Sequence, residues 1–265
     1  MFTEKLQKVL ARAGLGSRRQ IETWIQEGRV QVNRKTALIG QRVSDKDDIR
    51  LNGRRVSEKR LRTRPRQIIC YHKPIGEVCT RLDPEGRPTI FKNLPPLTAG
   101  RWITVGRLDI NTSGIILLTT DGELANRLMH PSYGLEREYA VRVLGKVDDE
   151  MLTRLKTGVE LDDGTAHFDE IKEAGGEGAN HWYHVTIKEG RKREVRRLWE
   201  SQGITVSRLM RIRYGQVRLP PYLRAGHWAE LDKEVVNDVL KQVDLYIKPE
   251  ARKSRHKAKF RPRKK

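Results

Sequence analysis

Residues 106–122 read GRLDINTSGIILLTTDG, and the rest of the chain is organised around them. Ile103 and Val105 lead in as an apolar strand, a polar turn bounded by Gly106 and Gly114 follows, and residues 115–118 (IILL) form a second apolar run. Asp109 therefore falls at a strand end, on a tight connection held by a rigid sheet, a place where chemistry tends to be carried. An aspartate before Asn-Thr-Ser-Gly also reads as a plain turn or capping residue. Its role is decided by what the surrounding chain supplies.

A chain of 265 residues exceeds what one compact core usually needs and points to two domains with a tail. Lys and Arg number 54 against 34 Asp and Glu, a formal charge of +20, so the expected partner is a polyanion: nucleic acid or an acidic membrane. No apolar run approaches the length of a membrane span, and the start MFTEKLQKVLARAG lacks a signal peptide's apolar core. Nucleic acid is favoured over lipid, and a cytoplasmic location is expected. Cys70 and Cys79 make neither a disulfide framework nor a zinc pair and read as buried reduced thiols in strands. His181 and His184 flank Trp182 and Tyr183 in a strand pattern that turns them to opposite faces, so no metal site is expected. There is no Gly-Lys-Ser/Thr loop, no GxGxxG and no Gly-x-Ser-x-Gly. Nucleotide hydrolysis, dinucleotide redox chemistry and serine hydrolysis thus lack their usual signatures, and no cofactor is implied.

Towards the N-terminus, Leu6, Val9, Leu10 and Ala13 have helical spacing up to Gly14, and Ser17-Arg18-Arg19-Gln20 reads as a capping box opening a second helix through Ile21, Trp24 and Ile25. Residues 29–33, 42–43 and 49–51 follow as short strands. KVLARAG, GSRRQIETWI and EGRVQVN resemble the S4-type RNA-binding module. Carried over, that resemblance implies RNA contacts from Arg12, Ser17, Arg18, Arg19, Arg29 and Asn33. The domain is expected over residues 1–57. Residues 58–66 (EKRLRTRPR) are polar and Pro-containing without an apolar period and read as a linker.

A second domain is expected over residues 67–247, with strands at 67–71, 77–81, 136–144, 159–171, 182–187 and 206–219. Helices are expected after Asp121, over 148–156 and over 232–243. Residues 248–265 are low-complexity and basic and read as a disordered tail, serving either as a phosphate tether or as a solvated end. RKREVRRLW (191–199) reads as a helix starting near Gly190, with Val195, Leu198, Trp199 and Gln202 on one face. Cations at a helix N-terminus oppose its dipole by about 0.3–1 kcal/mol each, so RNA phosphate or a protein carboxylate is expected to compensate them. Arg196 adjoins the apolar face and is expected partly buried against a carboxylate, with Arg193 and Arg197 facing outward.

GRLDINTSGIILLTTDGELANRLMHPS, EREYAVRV and EGRKREVRRLWESQGITVSRLMRIRYG resemble the three signature regions of the bacterial pseudouridine synthases that modify ribosomal RNA. The likeness spans roughly residues 67–231 and implies an α+β fold: an S4-type domain, then a catalytic domain on a mixed, mostly antiparallel sheet with flanking helices. It implies a reaction in which a uridine loses its N-glycosidic bond, the uracil turns while bound, and a glycosidic bond forms at C5, with no metal or cofactor. By position in these motifs, the resemblance makes Asp109 the catalytic carboxylate, Tyr139 the residue that packs on the base, and Arg196 the partner of Asp109. Physically, burial of Asp109 would raise its pKa and a guanidinium would lower it again.

Asp109 could attack C1′, add to the base, or take a proton from C2′; a role at the sugar is preferred because carboxylates suit oxocarbenium-like centres. Arg107, Arg191, Arg193 and Arg197 are the expected RNA contacts of this domain. The implied substrate is a stem-loop of large-subunit (23S) ribosomal RNA, free or in a pre-ribosomal particle, and a monomer is expected. The alternatives are a small-subunit synthase, a non-catalytic RNA-binding assembly factor, and a transcription regulator, for which no recognition helix is evident.

Overall fold

The computed structural model describes residues 3–62 and 64–246; the basic tail expected over 248–265 lies outside the described residues. The chain opens with β1 (Glu4–Lys5), α1 (Leu6–Arg12) and α2 (Arg18–Gln26), followed by β2 (Val30–Val32), β3 (Lys35–Thr36), β4 (Arg42–Val43), β5 (Ile49–Leu51) and β6 (Arg54–Arg55). β1 pairs with β4, and the remaining four strands form an antiparallel sheet in the order β3-β2-β5-β6. Leu6, Val9 and Leu10, spaced one turn apart, meet Ile21 and Ile25 of α2 and Val30, Val32 and Ile49 of the sheet in one small core. Ser17 caps α2 as expected, its hydroxyl accepting the Gln20 N–H at 3.1 Å.

The expected linker is only partly one. Residues 58–61 form a single helical turn, α3 (Glu58–Leu61), whose Leu61 packs on the N-terminal core while Arg60 Nε donates to the Ala13 carbonyl at 3.0 Å. One apolar residue in a basic stretch has no periodicity to detect, but it closes the first domain.

The second domain contains β7 (Ile68–Lys73), β8 (Ile103–Val105), β9 (Ser113–Thr119), α4 (Gly122–Met129), β10 (Arg137–Leu144), α5 (Asp149–Thr157), β11 (Val159–Leu161) and β12 (Gly164–Ala166). It continues with β13 (Glu170–Glu177), β14 (Asn180–Ile187), α6 (Glu194–Glu200), β15 (Thr205–Tyr214), β16 (Val217–Arg218), β17 (Trp228–Glu230) and α7 (Lys233–Gln242). A nine-stranded sheet runs β13-β14-β10-β15-β9-β7-β17, with β8 beside β9 and β16 beside β15. All its pairings are antiparallel except β15 with β9, which sets Met210 and Arg211 beside Ser113 and Gly114. The expectation of a mixed, mostly antiparallel sheet holds.

β9 is apolar throughout because both of its faces are covered. Ile116 and Leu118 join Leu155 of α5 and Val195, Leu198 and Trp199 of α6, whereas Ile115 and Leu117 join Leu124 and Leu128 of α4 and Val239 and Leu240 of α7. Period-two alternation thus feeds two cores from one strand. Asp121 and Asp148 cap α4 and α5 through their carboxylates, as their positions predict.

Two element expectations are corrected. Residues 77–81 do not resume a strand: only Val78 bridges to Thr89, and Cys79 lies in a bend, held by the loop that carries Asp109 rather than by a ladder. The helix expected from Gly190 begins at Glu194, because Arg193 adopts a left-handed backbone (φ 52°) that a helix cannot pass through.

Candidate active site

Asp109 sits in the β8–β9 connection, as expected from the strand–turn–strand pattern. The backbone of this connection is fastened from several directions. The Cys79 thiol is 3.4 Å from both the N–H and the carbonyl of Leu108, and the Asp109 carbonyl accepts the Thr112 N–H at 3.0 Å. The Ile110 carbonyl accepts the Gly76 N–H at 2.9 Å and, at 3.5 Å, the Lys73 ammonium, which also donates to the Thr112 carbonyl at 2.8 Å. The Asn111 carbonyl accepts Arg196 Nη2 at 2.9 Å. Five consecutive carbonyls are therefore engaged. The Asp109 carboxylate is not: it is exposed and makes no hydrogen bond or ion pair among the described residues.

Three cations surround this loop from below. Lys73 is completely buried at the end of β7, and its third donor contact goes to the Pro74 carbonyl at 2.9 Å. Burial pushes its ammonium below the ordinary value, opposed by charge on Cys79, Glu77 and Asp109. Arg196, on α6, is also buried; besides Asn111 it donates Nη1 to the Val206 carbonyl at 2.9 Å. Burial, then the neighbouring Arg193 charge, pushes its guanidinium down, while the charge of Asp109 acts the other way. Arg211, buried on β15, donates Nε to the Ile115 carbonyl at 2.9 Å.

The expected ion pair between Arg196 and Asp109 is thus corrected in form. The guanidinium reaches Asp109 through space but spends its hydrogen bonds on two backbone carbonyls, one of them two residues past Asp109. A buried guanidinium fixed by carbonyls holds the loop and leaves the carboxylate at the surface. The dry enclosure expected around Asp109 is accordingly not part of the chain alone.

Gly114, immediately after the loop, lies at a very close approach between strands. At φ 110°, a Cβ there would stand 2.2 Å from the Arg211 carbonyl oxygen, so only glycine lets β9 lie against β15. Tyr139, on β10, pairs across the sheet with Arg211 on one side and Val185 on the other. It is buried in the core cluster that also contains Leu108, and its hydroxyl has no hydrogen-bond partner among the described residues. Asp109, Arg196 and Tyr139 thus belong to one neighbourhood, on a loop, a helix and a strand that share the β9–β15 junction. Thr112 Oγ1, Arg196 Nε and Arg211 Nη2 are buried there without a protein partner.

The other expected contact residues divide. Arg18, Arg19 and Arg107 are exposed, and Arg18 and Arg19 stand in the first turn of α2. Arg12 is paired with Glu4 at 2.6 Å. Arg29 pairs with Glu27 at 2.9 Å and lies over the Trp24 ring. Ser17 is occupied as the cap, and Asn33 holds the turn at Asp47 and Asp48 through both of its amide atoms.

On the second domain, protein carboxylates compensate the cations. Arg197 grips Asp163 through both terminal nitrogens at 2.8 and 2.9 Å, correcting the expectation that it faces outward. Arg191 pairs with Glu189 at 2.6 Å, and Arg193 with Glu200 at 3.1 Å. Sequence reasoning missed Lys73 and Arg211. Lys73 precedes Pro-Ile-Gly and reads as a turn residue; the signal available for Arg211 is that it shares strand parity with the buried Leu209.

The sequence profile of RNA pseudouridylate synthases matches residues 67–201, and that of the S4 domain matches residues 4–49. A protein of Pseudomonas aeruginosa described as ribosomal large subunit pseudouridine synthase B is 57% identical over 98% of this chain and 69% of its own length. A Haemophilus influenzae protein of the same description is 56% identical over 98% of this chain and 73% of its own. A crystal structure of a pseudouridylate synthase superposes with a TM-score of 0.61 at 26% identity, covering 90% of this chain and 99% of that one. The chain belongs to the RNA pseudouridylate synthase family and carries an S4 domain ahead of the synthase fold.

Proposed function

We propose that this chain isomerises a uridine of large-subunit (23S) ribosomal RNA to pseudouridine, with Asp109 as the catalytic carboxylate. The reaction breaks the bond between C1′ and N1 of uracil, turns the base, joins C1′ to C5, and moves the C5 proton away while N1 gains one, so substrate and product are isomers. The observation that carries the reading is the contrast at the β8–β9 connection: every carbonyl over residues 108–112 is tied down, while the single charged side chain it presents is free. A carboxylate on a fastened backbone, without a polar partner among the described residues, is ready to act on a group brought from outside.

The sugar is the part of the substrate on which Asp109 acts. A nucleotide must leave its stack to reach it, at a cost of a few kcal/mol, and stacking on the Tyr139 ring offsets about 1–3 kcal/mol of that. The Tyr139 hydroxyl, which has no hydrogen-bond partner among the described residues, takes part in moving the C5 proton in this reading. Arg196 and Lys73 supply positive charge beneath the loop that carries Asp109. Arg18, Arg19 and Arg107 face solvent and meet RNA phosphate, and the substrate is a stem-loop met free or in a pre-ribosomal particle by a monomeric, cytoplasmic enzyme.

Asp109→Asn tests the assignment. Pseudouridine formation in 23S RNA should disappear, while the melting temperature and RNA affinity change little, since the carboxylate makes no hydrogen bond or ion pair among the described residues. Turnover by Asp109→Asn comparable to wild type would leave a non-catalytic RNA-binding assembly factor as the better description.

A further inference from the structure

Between the two domains lies a cavity of about 440 Å³ lined by eight cationic side chains and only three carboxylates. Residues 97–101 of the catalytic domain press against the end of α1, so closely that a Cβ on Gly14 would stand 2.5 Å from the Gly100 carbonyl oxygen. Arg64 Nη1 bonds Thr98 Oγ1 at 2.8 Å, and Lys8 reaches Glu123 at 3.8 Å, so the cavity has walls from both domains.

The three carboxylates do not neutralise it: Glu4 is taken by Arg12 and Lys8, Glu123 by Lys8 and Arg127, and Asp121 caps α4 while receiving Arg66 at 3.4 Å. Arg18 and Arg101 both line the cavity and have no ion pair among the described residues; burial, then the charge of Arg18, pushes the Arg101 guanidinium down. Arg12 Nε, Arg66 Nη1 and Arg101 Nε are buried N–H donors with no protein partner. Eight cations against three carboxylates around one space favour an oxyanion with several acceptor oxygens.

Lys8, Arg12 and Arg18 of the S4 domain and Arg101 of the catalytic domain line the same space, which fits a polyanion reaching both domains rather than a small anion held by one. We propose that the interdomain cavity receives a backbone phosphate of the RNA substrate, bridged by Arg18 of the S4 domain and Arg101 of the catalytic domain. The phosphate then fixes the angle between the domain that holds RNA and the domain that modifies it. The identity of the polyanion rests on the proposed function; the anion site rests on the cavity itself.

The test measures binding of the full chain to transcribed 23S RNA across a salt series, with pseudouridine formation followed separately. Loss of one phosphate contact should flatten the slope of log affinity against log salt by about 0.7–0.9 in Arg101→Gln and equally in Arg18→Gln. The double variant should lose no more than either single one, because both arginines grip the same group. Arg101→Gln should melt no lower than wild type, since it removes a like-charge contact; if it fails to fold, exposed Arg18→Gln carries the measurement. Wild-type slopes in both single variants overturn the proposal, and a doubled loss in the double variant overturns the bridge. A second arm follows melting in inorganic phosphate and in pyrophosphate. Stabilisation of wild type but not Arg101→Gln, with RNA binding unchanged in both, would assign the cavity to a free phosphate compound and overturn the RNA source. If wild type makes no pseudouridine yet the slopes change as expected, the proposed function fails and the anion site stands.

Discussion

Arg196 offers the sharpest test of how the Asp109 loop is held. Its two hydrogen bonds run to buried carbonyls of Val206 and Asn111, each 2.9 Å. Bonds from a charged donor contribute about 1.5–3 kcal/mol each, so Arg196→Ala forfeits about 3–6 kcal/mol before relief of the buried charge returns part of it. A net loss of about 2–4 kcal/mol is expected, which for a domain of this size lowers the melting temperature by roughly 4–16 °C. Arg196→Lys separates the two roles: it keeps the positive charge beneath the loop but can reach only one carbonyl.

Its stability loss should be about half as large, yet its turnover should fall by about 10²-fold, because a displacement of about 1 Å at the reacting group costs that much. The assays are thermal unfolding by circular dichroism, single-turnover pseudouridine formation, and RNA affinity, which should hold in both variants. Should Arg196→Ala melt within about a degree of wild type, or should Arg196→Lys turn over normally, the clamp is not what positions Asp109.

Lys73→Met, similar in shape but uncharged, leaves the carbonyls of Pro74, Ile110 and Thr112 without their shared donor; a loss of about 2–4 kcal/mol and a turnover defect larger than any binding defect should appear in the same assays. Gly114→Ala puts a methyl group 2.2 Å from the Arg211 carbonyl at a left-handed backbone angle, so a loss above about 4 kcal/mol is expected, read as a collapse in soluble yield or melting temperature. Glu138 supplies a pH signature. Burial pushes its carboxyl up, but the hydrogen bond from Arg213 at 2.7 Å and the Arg213 charge outweigh this and hold it below the ordinary 4.5. A lowered folded-state value means stability present above that ordinary value and lost as pH falls through the folded one. Urea midpoints of Glu138→Gln should therefore lie below wild type at neutral pH and converge with it in acid; a gap that persists or widens in acid would contradict this.

What the sequence displays and what it conceals follow from the range of the interactions. Ser17 can be read as a cap because its partner is three residues away, and the IILL run announces a central strand because both its faces are covered. Asp109 is legible as a loop residue for the same local reason. Lys73 is not, because its meaning lies in carbonyls 37 and 39 residues onward. Arg196 was legible as a partner of this region but not in its geometry: the choice between a carboxylate and a carbonyl depends on how α6 docks.

The late start of α6 was concealed by the charge run itself. Arg191, Lys192 and Arg193 look like a crowded first turn, whereas Glu194 occupies it, buried and accepting the Arg191 N–H at 3.0 Å. The contacts of Arg191, Arg193 and Arg197 with Glu189, Glu200 and Asp163 are likewise tertiary, decided by the fold around them.

The parallel seam between β9 and β15 joins residue 114 to residue 211. Synthesis proceeds from the N-terminus, so the small core that ends with Leu61 is complete long before the clamp on Asp109 can close. At about 5–20 residues per second the interval is roughly 8–30 s. A growing chain thus acquires its grip on RNA first and its chemistry last, and a fragment ending before Arg196 keeps the handle without the blade.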